Sequence, residues 1–247
     1  MELKDFFRDH PKVALGFSGG TDSVFLLYAG LKCGADIHPY FIKTPFQPRF
    51  EMEDAKRAAK LLGAELTILE YDVLSVPAVA ENPKNRCYFC KTALFSLLSE
   101  QAKKDGYLCL IDGTNASDDC DDRPGMRALT ELSVLSPLRL CGITKETVRR
   151  LSKEAGLFTW DKPSYACLAT RVPSGTKICR EDLDKVERGE AALAAMGFSD
   201  FRLRLSGKDA RLECRPEQME LAVAKRAEIL RVLSADFSRV TLDLLGR

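Results

Sequence analysis

The sequence predicts an α/β fold built on a parallel sheet and followed by a small α+β domain. Three observations carry this. Short apolar runs alternate with helical patterns along the first part of the chain, as crossover connections between parallel strands require. The first run, Val13 to Phe17, ends in Ser18-Gly19-Gly20-Thr21-Asp22-Ser23 and resumes as an apolar stretch from Val24 to Ala29. The pattern then breaks at the Pro- and Gly-punctuated segment Pro163 to Gly175, beyond which the chain changes character.

Residues 1–10 read as a short leading helix, 13–17 as the first strand and 22–33 as the first crossover helix. Ile37 to Lys43 reads as a strand. The Ala-, Lys- and Glu-rich stretch from Pro48 to Leu62 reads as a helix stopped by Gly63. Glu65 to Leu69 is a strand. Leu94, Phe95, Leu97 and Leu98 recur at helical spacing and predict a helix over 91–104. Leu108 to Asp112 is the next apolar strand, ended by Gly113. After the break, 181–196 reads as a helix. Phe201 to Leu205 and Ala210 to Cys214 alternate as strands around a turn at Gly207. A helix over Glu217 to Leu233 and a strand over Val240 to Leu244 complete the chain. The expected domains are residues 1–165 and 166–247.

With 247 residues, 45% apolar and 30% charged, the chain has room for one large domain or two small ones. Its net charge of +1 argues against wholesale attraction to nucleic acid or membrane. No apolar stretch reaches spanning length, and the mixed, charged start MELKDFFRDH is unlike a signal peptide, so a cytoplasmic location is expected. Nine cysteines are many for such a protein, and an odd count cannot pair fully. Cys109 reads as a buried core thiol, and Cys33 lies at a helix end before Gly34. Cys120, Cys141, Cys179 and Cys214 lack a partner at metal-ligand spacing, and His10 and His38 are not near a cysteine in the sequence.

Ligands of parallel sheets bind outside the carboxyl ends of strands. Residues 18–23, Lys43-Thr44 and Asp112 to Asn115 all fall at such ends. A Gly-rich turn that opens a helix gathers backbone N–H groups and a positive helix end, which suits a phosphate chain. This turn carries no lysine of the Walker type but does carry Asp22, a Mg²⁺ ligand or an orienter of one. It therefore suits gripping pyrophosphate better than presenting a terminal phosphate. Asp112-Gly113-Thr114-Asn115 continues through a polar loop to Arg123-Pro124-Gly125, where Arg123 supplies a cation for phosphate. Cys87-Tyr88-Phe89-Cys90 stands just before a helix, beside Arg86 and Lys91, which favours thiolates. A single CxxC does not make a four-ligand zinc site. Further on, Cys167 sits in a loop with Arg171 four residues later, and Arg202 and Arg204 point the same way from one strand.

The hexapeptide 18–23 resembles the PP-loop of the N-type ATP pyrophosphatases, which cleave ATP between its α and β phosphates. Taken with Arg86-Cys87-Tyr88, Cys90-Lys91, Gly113-Thr114-Asn115, Arg123-Pro124-Gly125, Ser136-Pro137-Leu138 and Lys162-Pro163-Ser164 to Arg171, it resembles the LarE family over most of the chain. Glu187, Glu190, Arg202 and Arg204 extend the likeness into the C-terminal part, which the resemblance makes a sulfur-transfer, substrate and oligomerisation domain.

That resemblance implies an adenine nucleotide alpha hydrolase-like domain and an ATP-dependent sulfur transferase in nickel-pincer cofactor biosynthesis. Its substrate would be pyridinium-3,5-biscarboxylic acid mononucleotide, adenylated on a carboxylate and then thiolated. ATP and Mg²⁺ would sit on Ser18, Gly19, Gly20, Asp22, Ser23, Thr44, Gly113, Thr114, Arg123 and Gly125. Substrate would meet Arg171, Glu190, Arg202 and Arg204. Asp22, Cys167 and Arg171 would be catalytic. Members of the family either sacrifice the sulfur of one cysteine or hold a [4Fe–4S] cluster on three. Cys87, Cys90 and Cys167 match the cluster type. The resemblance also implies a homo-oligomer, a sulfur donor and a downstream nickel-inserting enzyme. The rival readings are a tRNA-thiolating or amide-forming PP-loop enzyme, and a nucleotide-binding module whose cysteines sense redox state.

Overall fold

Val13, Ala14 and Leu15 are wholly shielded from solvent, because the strand they form is covered on both faces and paired on both edges. A short helix, α1 (Leu3–Asp9), leads into this strand, β1 (Lys12–Gly16). Then follow α2 (Thr21–Lys32), β2 (Asp36–Lys43), α3 (Arg49–Leu61) and β3 (Thr67–Glu70). Each helix carries the chain back so that the next strand pairs in parallel: Val13 faces Ile37, and Phe41 faces Ile68. The computed structural model describes residues 1–118 and 124–247, and these divide into two compact units. The first comprises Met1–Val73 and Asn85–Lys162; the second comprises Leu74–Lys84 and Pro163–Arg247.

In the first unit the strand order is β3-β2-β1-β4, all parallel. The chain leaves it for α4 (Pro77–Ala80) and returns through the long α5 (Arg86–Lys104) to β4 (Cys109–Ile111) on the opposite edge of β1. The winding direction therefore reverses between β1 and β4, which opens a crevice at their carboxyl ends. Helices α6 (Pro124–Glu131), α7 (Pro137–Leu140) and α8 (Lys145–Glu154) complete this unit. A single parallel bridge, Ile111 to Leu135, extends the sheet and brings Ser136 beside the end of β4.

Alternation along β1 splits the core by face. Val13 and Leu15 pack with Phe6, Phe7, Val24, Leu27, Ala58 and Val148, whereas Ala14 packs with Tyr40, Leu98, Ala102, Leu110 and Leu129. Two local readings change. Helix α5 begins at Arg86, not near 91, because α6 packs along its first turns: a Cβ on Gly125 would lie 3.0 Å from Lys91 Cδ and 3.7 Å from the Cys87 carbonyl oxygen. The CxxC is therefore inside the helix. Cys109 is half-buried, and its Sγ lies 3.9 Å from His10 Nδ1, because the end of α1 folds back onto β4.

The second unit holds α9 (Arg180–Ala195) against a three-stranded sheet, with β5 (Arg202–Ser206) and β6 (Asp209–Glu213) as an antiparallel hairpin. Gly207 takes φ +62° in the turn, where a side chain would be strained. The helix expected over 217–233 is broken at Lys225 into α10 (Met219–Ala224) and α11 (Arg226–Leu233). The last strand, β7 (Arg239–Leu242), then pairs in parallel with β6. Residues 74–84 belong to this unit through Gly175 N–H to Asn82 O (2.8 Å) and Ile178 N–H to Ala80 O (2.7 Å). Among the described residues no helix is long and apolar enough to cross a membrane.

Candidate active site

The turn after β1 is held in shape by its own serines. Ser23 Oγ accepts from Ser18 N–H (3.2 Å), lies 3.1 Å from Ser18 Oγ and donates to Gly20 O (3.3 Å), while Gly20 N–H donates to Ser18 Oγ (3.3 Å). Gly19 is required: its φ is +69°, and a Cβ would lie 2.8 Å from the backbone of Ala55 on α3. Gly20 is the N-cap of α2 and offers no side chain to its first turn. The helix end is thus left to an outside acceptor, and the turn fits a phosphate.

The turn after β4 closes on the same place. A Cβ on Gly113 would lie 3.1 Å from Ser23 N, so the two turns touch through backbone. Asp112 is buried and accepts from Thr114 N–H (3.2 Å), Thr114 Oγ1 (2.5 Å) and Ser136 Oγ (2.6 Å). Asn115 Nδ2 donates to Asp22 Oδ1 (3.3 Å), and Lys145 Nζ pairs with Asp22 Oδ2 at 2.5 Å. Thr21 Oγ1 donates to Thr159 O (2.8 Å), which ties the segment after α8 to the turn. Thr44 is also buried, but its hydroxyl serves its own turn, donating to Gln47 Oε1 (2.6 Å) and accepting from Phe46 N–H (3.0 Å). Gly125 lies against α5 and Cys87. Arg123 lies outside the described residues.

In the second unit, Cys167 is half-buried at the N-cap of a 3-10 turn, Leu168–Arg171. The Arg171 side chain is fully enclosed. Its Nε and Nη2 donate to the two oxygens of Glu190 at 2.7 and 3.1 Å, and its Nη1 donates to Ala166 O (2.8 Å) and Thr170 Oγ1 (2.7 Å). Arg202 is buried and donates to Phe201 O (2.6 Å) and Ser164 O (3.0 Å). Burial first, and then the charge of Arg171, push its guanidinium down to about 10. Arg204 is more open; it pairs with Glu213 at 2.6 Å and donates to Thr170 O (2.7 Å). A cavity of about 430 Å³ opens here between Thr170, Arg171, Arg204, Ser206, Arg211 and Glu213.

Residues 10–190 match the family described as Thiamine biosynthesis protein (ThiI). The chain belongs to this family. Within this PP-loop family it is 30% identical, over 97% of its own length and 88% of the relative's, to the pyridinium-3,5-bisthiocarboxylic acid mononucleotide synthase of Lactiplantibacillus plantarum. It is 35% identical to an uncharacterized protein of Synechocystis over 99% of this chain and 92% of that one. It is 29% identical to one of Methanocaldococcus jannaschii over 98% and 92%. As a ThiI-family chain it has the four-stranded parallel sheet and glycine turn expected from the sequence.

Lys145 was not legible in the sequence. It lies 123 residues from Asp22, and its only local mark is its place in the first turn of α8, after the N-cap Thr144. Tyr165, inside the Lys162 to Arg171 motif, and Arg211 and Glu213, on the strand expected over Ala210 to Cys214, drew no reading of their own, because a sequence does not show which side chains they bond. The metal ligands expected by resemblance are split by chain position: Cys87 and Cys90 lie on α5 in the first unit, and Cys167 lies in the second. The described residues contain no group of three His, Cys, Asp or Glu side chains placed to hold a metal ion.

Proposed function

We propose that the chain is an ATP-dependent sulfur transferase that converts carboxylates of pyridinium-3,5-biscarboxylic acid mononucleotide into thiocarboxylates. The supporting observation is a serine-braced anion turn, with Lys145 and Asp22 beside it, in a chain similar almost end to end to a synthase named for that product. ATP lays its phosphates on the first turn of α2. Lys145 supplies the cation that the turn itself lacks, and Asn115 orients Asp22. Asp22, whose oxygens each accept one hydrogen bond and keep a further lone pair, would hold Mg²⁺, which would supply charge neutralisation for the phosphates.

A substrate carboxylate oxygen attacks the α-phosphorus, the bond to the bridging oxygen breaks, and pyrophosphate leaves with the electron pair. The backbone N–H groups and Lys145 stabilise the charge that develops on it. The acyl-adenylate that remains is activated because AMP leaves more readily than oxide. A sulfur nucleophile, either sulfide or the Cys167 thiolate, then attacks the acyl carbon and expels AMP. Sulfide gives the thiocarboxylate directly, whereas Cys167 gives a thioester from which loss of the Cα proton and cleavage of the Cβ–Sγ bond release the thiocarboxylate and leave dehydroalanine. Thiolates of Cys87, Cys90 and Cys167 are the right donors in kind for a [4Fe–4S] cluster, which would offer sulfide on an iron left open. By the same resemblance the chain is a cytoplasmic homo-oligomer, charged by a sulfur donor and serving a nickel-inserting enzyme.

The purified chain with ATP, Mg²⁺ and the biscarboxylate nucleotide should release AMP and pyrophosphate in equal amounts. Binding of ATP without cleavage would remove this reading and leave its rivals, a PP-loop enzyme acting on another acceptor or a redox-sensing module. Iron and sulfide reconstitution without oxygen should give broad visible absorbance that fades on Cys87→Ala. Loss of one sulfur from the Cys167 peptide after turnover would place the sulfur source in that side chain and remove the cluster.

A further inference from the structure

The three arginines that the sequence offers as substrate cations each donate to a carbonyl of one loop, Arg171 and Arg202 from buried side chains and Arg204 from one that is 38% exposed. Arg202 Nη2 donates to Ser164 O at 3.0 Å, Arg171 Nη1 to Ala166 O at 2.8 Å, and Arg204 Nη1 to Thr170 O at 2.7 Å. These carbonyls bracket Cys167 on both sides. Each contact is charge-assisted and so stronger than a neutral hydrogen bond.

The counter-charges are equally committed. Glu190 Oε1 accepts from Arg171 Nε (2.7 Å) and Leu203 N–H (2.9 Å). Its Oε2 accepts from Arg171 Nη2 (3.1 Å) and Tyr165 O–H (2.5 Å). A carboxylate has about four acceptor sites, and all are filled. Glu190 is only 6% exposed, so its lone pairs are committed within the protein. Arg171 has at least four of its five N–H donors engaged. The Tyr165 ring lies 4.6 Å from the Arg171 guanidinium and 5.1 Å from that of Arg202, so its π face attracts both like charges while its hydroxyl joins Glu190.

We infer that Arg171, Arg202 and Arg204, with Tyr165 and Glu190, form a clamp that fixes the backbone of residues 164–170 and thereby positions Cys167. They are positioning residues for that cysteine. The functional consequence rests on the sulfur-transfer reading, but the clamp can be tested without it. Reduced full-length protein is treated with iodoacetamide, and modification of the Cys167 peptide is followed by mass spectrometry, with exposed Cys33 as the internal reference.

Arg202→Lys keeps the charge and loses the second donor arm. Alkylation of Cys167 should accelerate roughly tenfold, the order expected for losing one charge-assisted hydrogen bond, with Cys33 unchanged. In the sulfur-transfer assay kcat should fall while KM for the carboxylated nucleotide holds. Unchanged Cys167 alkylation with a raised KM would overturn the clamp and return the arginines to substrate binding. Tyr165→Phe is the milder variant should Arg202→Lys not fold. It removes one hydroxyl from Glu190, and Cys167 should again react faster; an unaltered rate would overturn the inference. If wild type releases no pyrophosphate, the proposed function falls while the alkylation result still decides the clamp.

Discussion

Asp22 and Lys145 form the contact on which the nucleotide reading leans most heavily. Their side chains are 23% and 29% exposed, so the pair adds little stability, about 0–1 kcal/mol. In the proposed reaction its value lies in holding an ammonium beside the helix end where phosphate charge would develop. Asp22→Asn keeps the shape and removes the charge, so ATP-dependent pyrophosphate release should fall roughly 100-fold in kcat/KM, with little change in urea midpoint. Lys145→Met should fall by a similar factor, and the double variant should lose less than the product of the two, because the residues act as a unit. An Asp22→Asn enzyme with wild-type rates would sink the assignment. The sequence offered Asp22 readily, since it sits inside the turn. Lys145 could not be read, because only folding brings α8 to α2.

At the scale of elements, close packing and a hydrogen-bonded phenol make separate demands. Gly189 on α9 faces β5, where a Cβ would come within 2.4 Å of Leu203 Cδ2 and 3.0 Å of Leu233 Cδ2. Gly189→Ala should therefore destabilise the protein by about 1–3 kcal/mol through overpacking, despite the better helix propensity of alanine, as read by chemical denaturation. In the first unit Tyr107 O–H donates to Asp36 Oδ1 (2.9 Å). Burial chiefly, and then this hydrogen bond, push the phenol up to about 12 from 10. A group raised on folding contributes stability that is complete below its unfolded value and is lost as pH climbs through its folded one. The urea midpoint should thus drop between pH 10 and about 12, and Tyr107→Phe should flatten that drop. Arg202, lowered by burial to about 10, acts in the opposite sense over the pH range above that, so the tyrosine effect is best read as the difference between wild type and variant.

For the whole molecule, the chain crosses between its two units three times, at 73–74, 84–85 and 162–163. The excursion 74–84 buries Val79, Ala80 and Asn82, and Asn82 holds a left-handed φ of +54° while donating to Pro173 O (2.9 Å). A fragment ending at Lys162 keeps this excursion but removes its partners Pro173, Gly175 and Ile178. It should be recovered mostly as aggregate, whereas the full chain should stay in solution; a soluble, cooperatively unfolding fragment would contradict the placement of 74–84 in the second unit. Nothing local in that segment announces its allegiance, because apolar residues pack equally well on either core.

By itself the sequence determined what local patterning can encode. Apolar alternation and helical spacing set the parallel sheet, Ser18 to Ser23 set the glycine turn that opens α2 after β1, and Gly207 set the hairpin. Those features depend on neighbours a few residues apart. Only the tertiary structure decided which distant groups meet: Lys145 with Asp22, Ser136 with Asp112, and three arginines with the carbonyls around Cys167. The physical reason is that a guanidinium offers the same five N–H donors to a ligand or to a carbonyl, and burial together with hydrogen-bond geometry chooses between them.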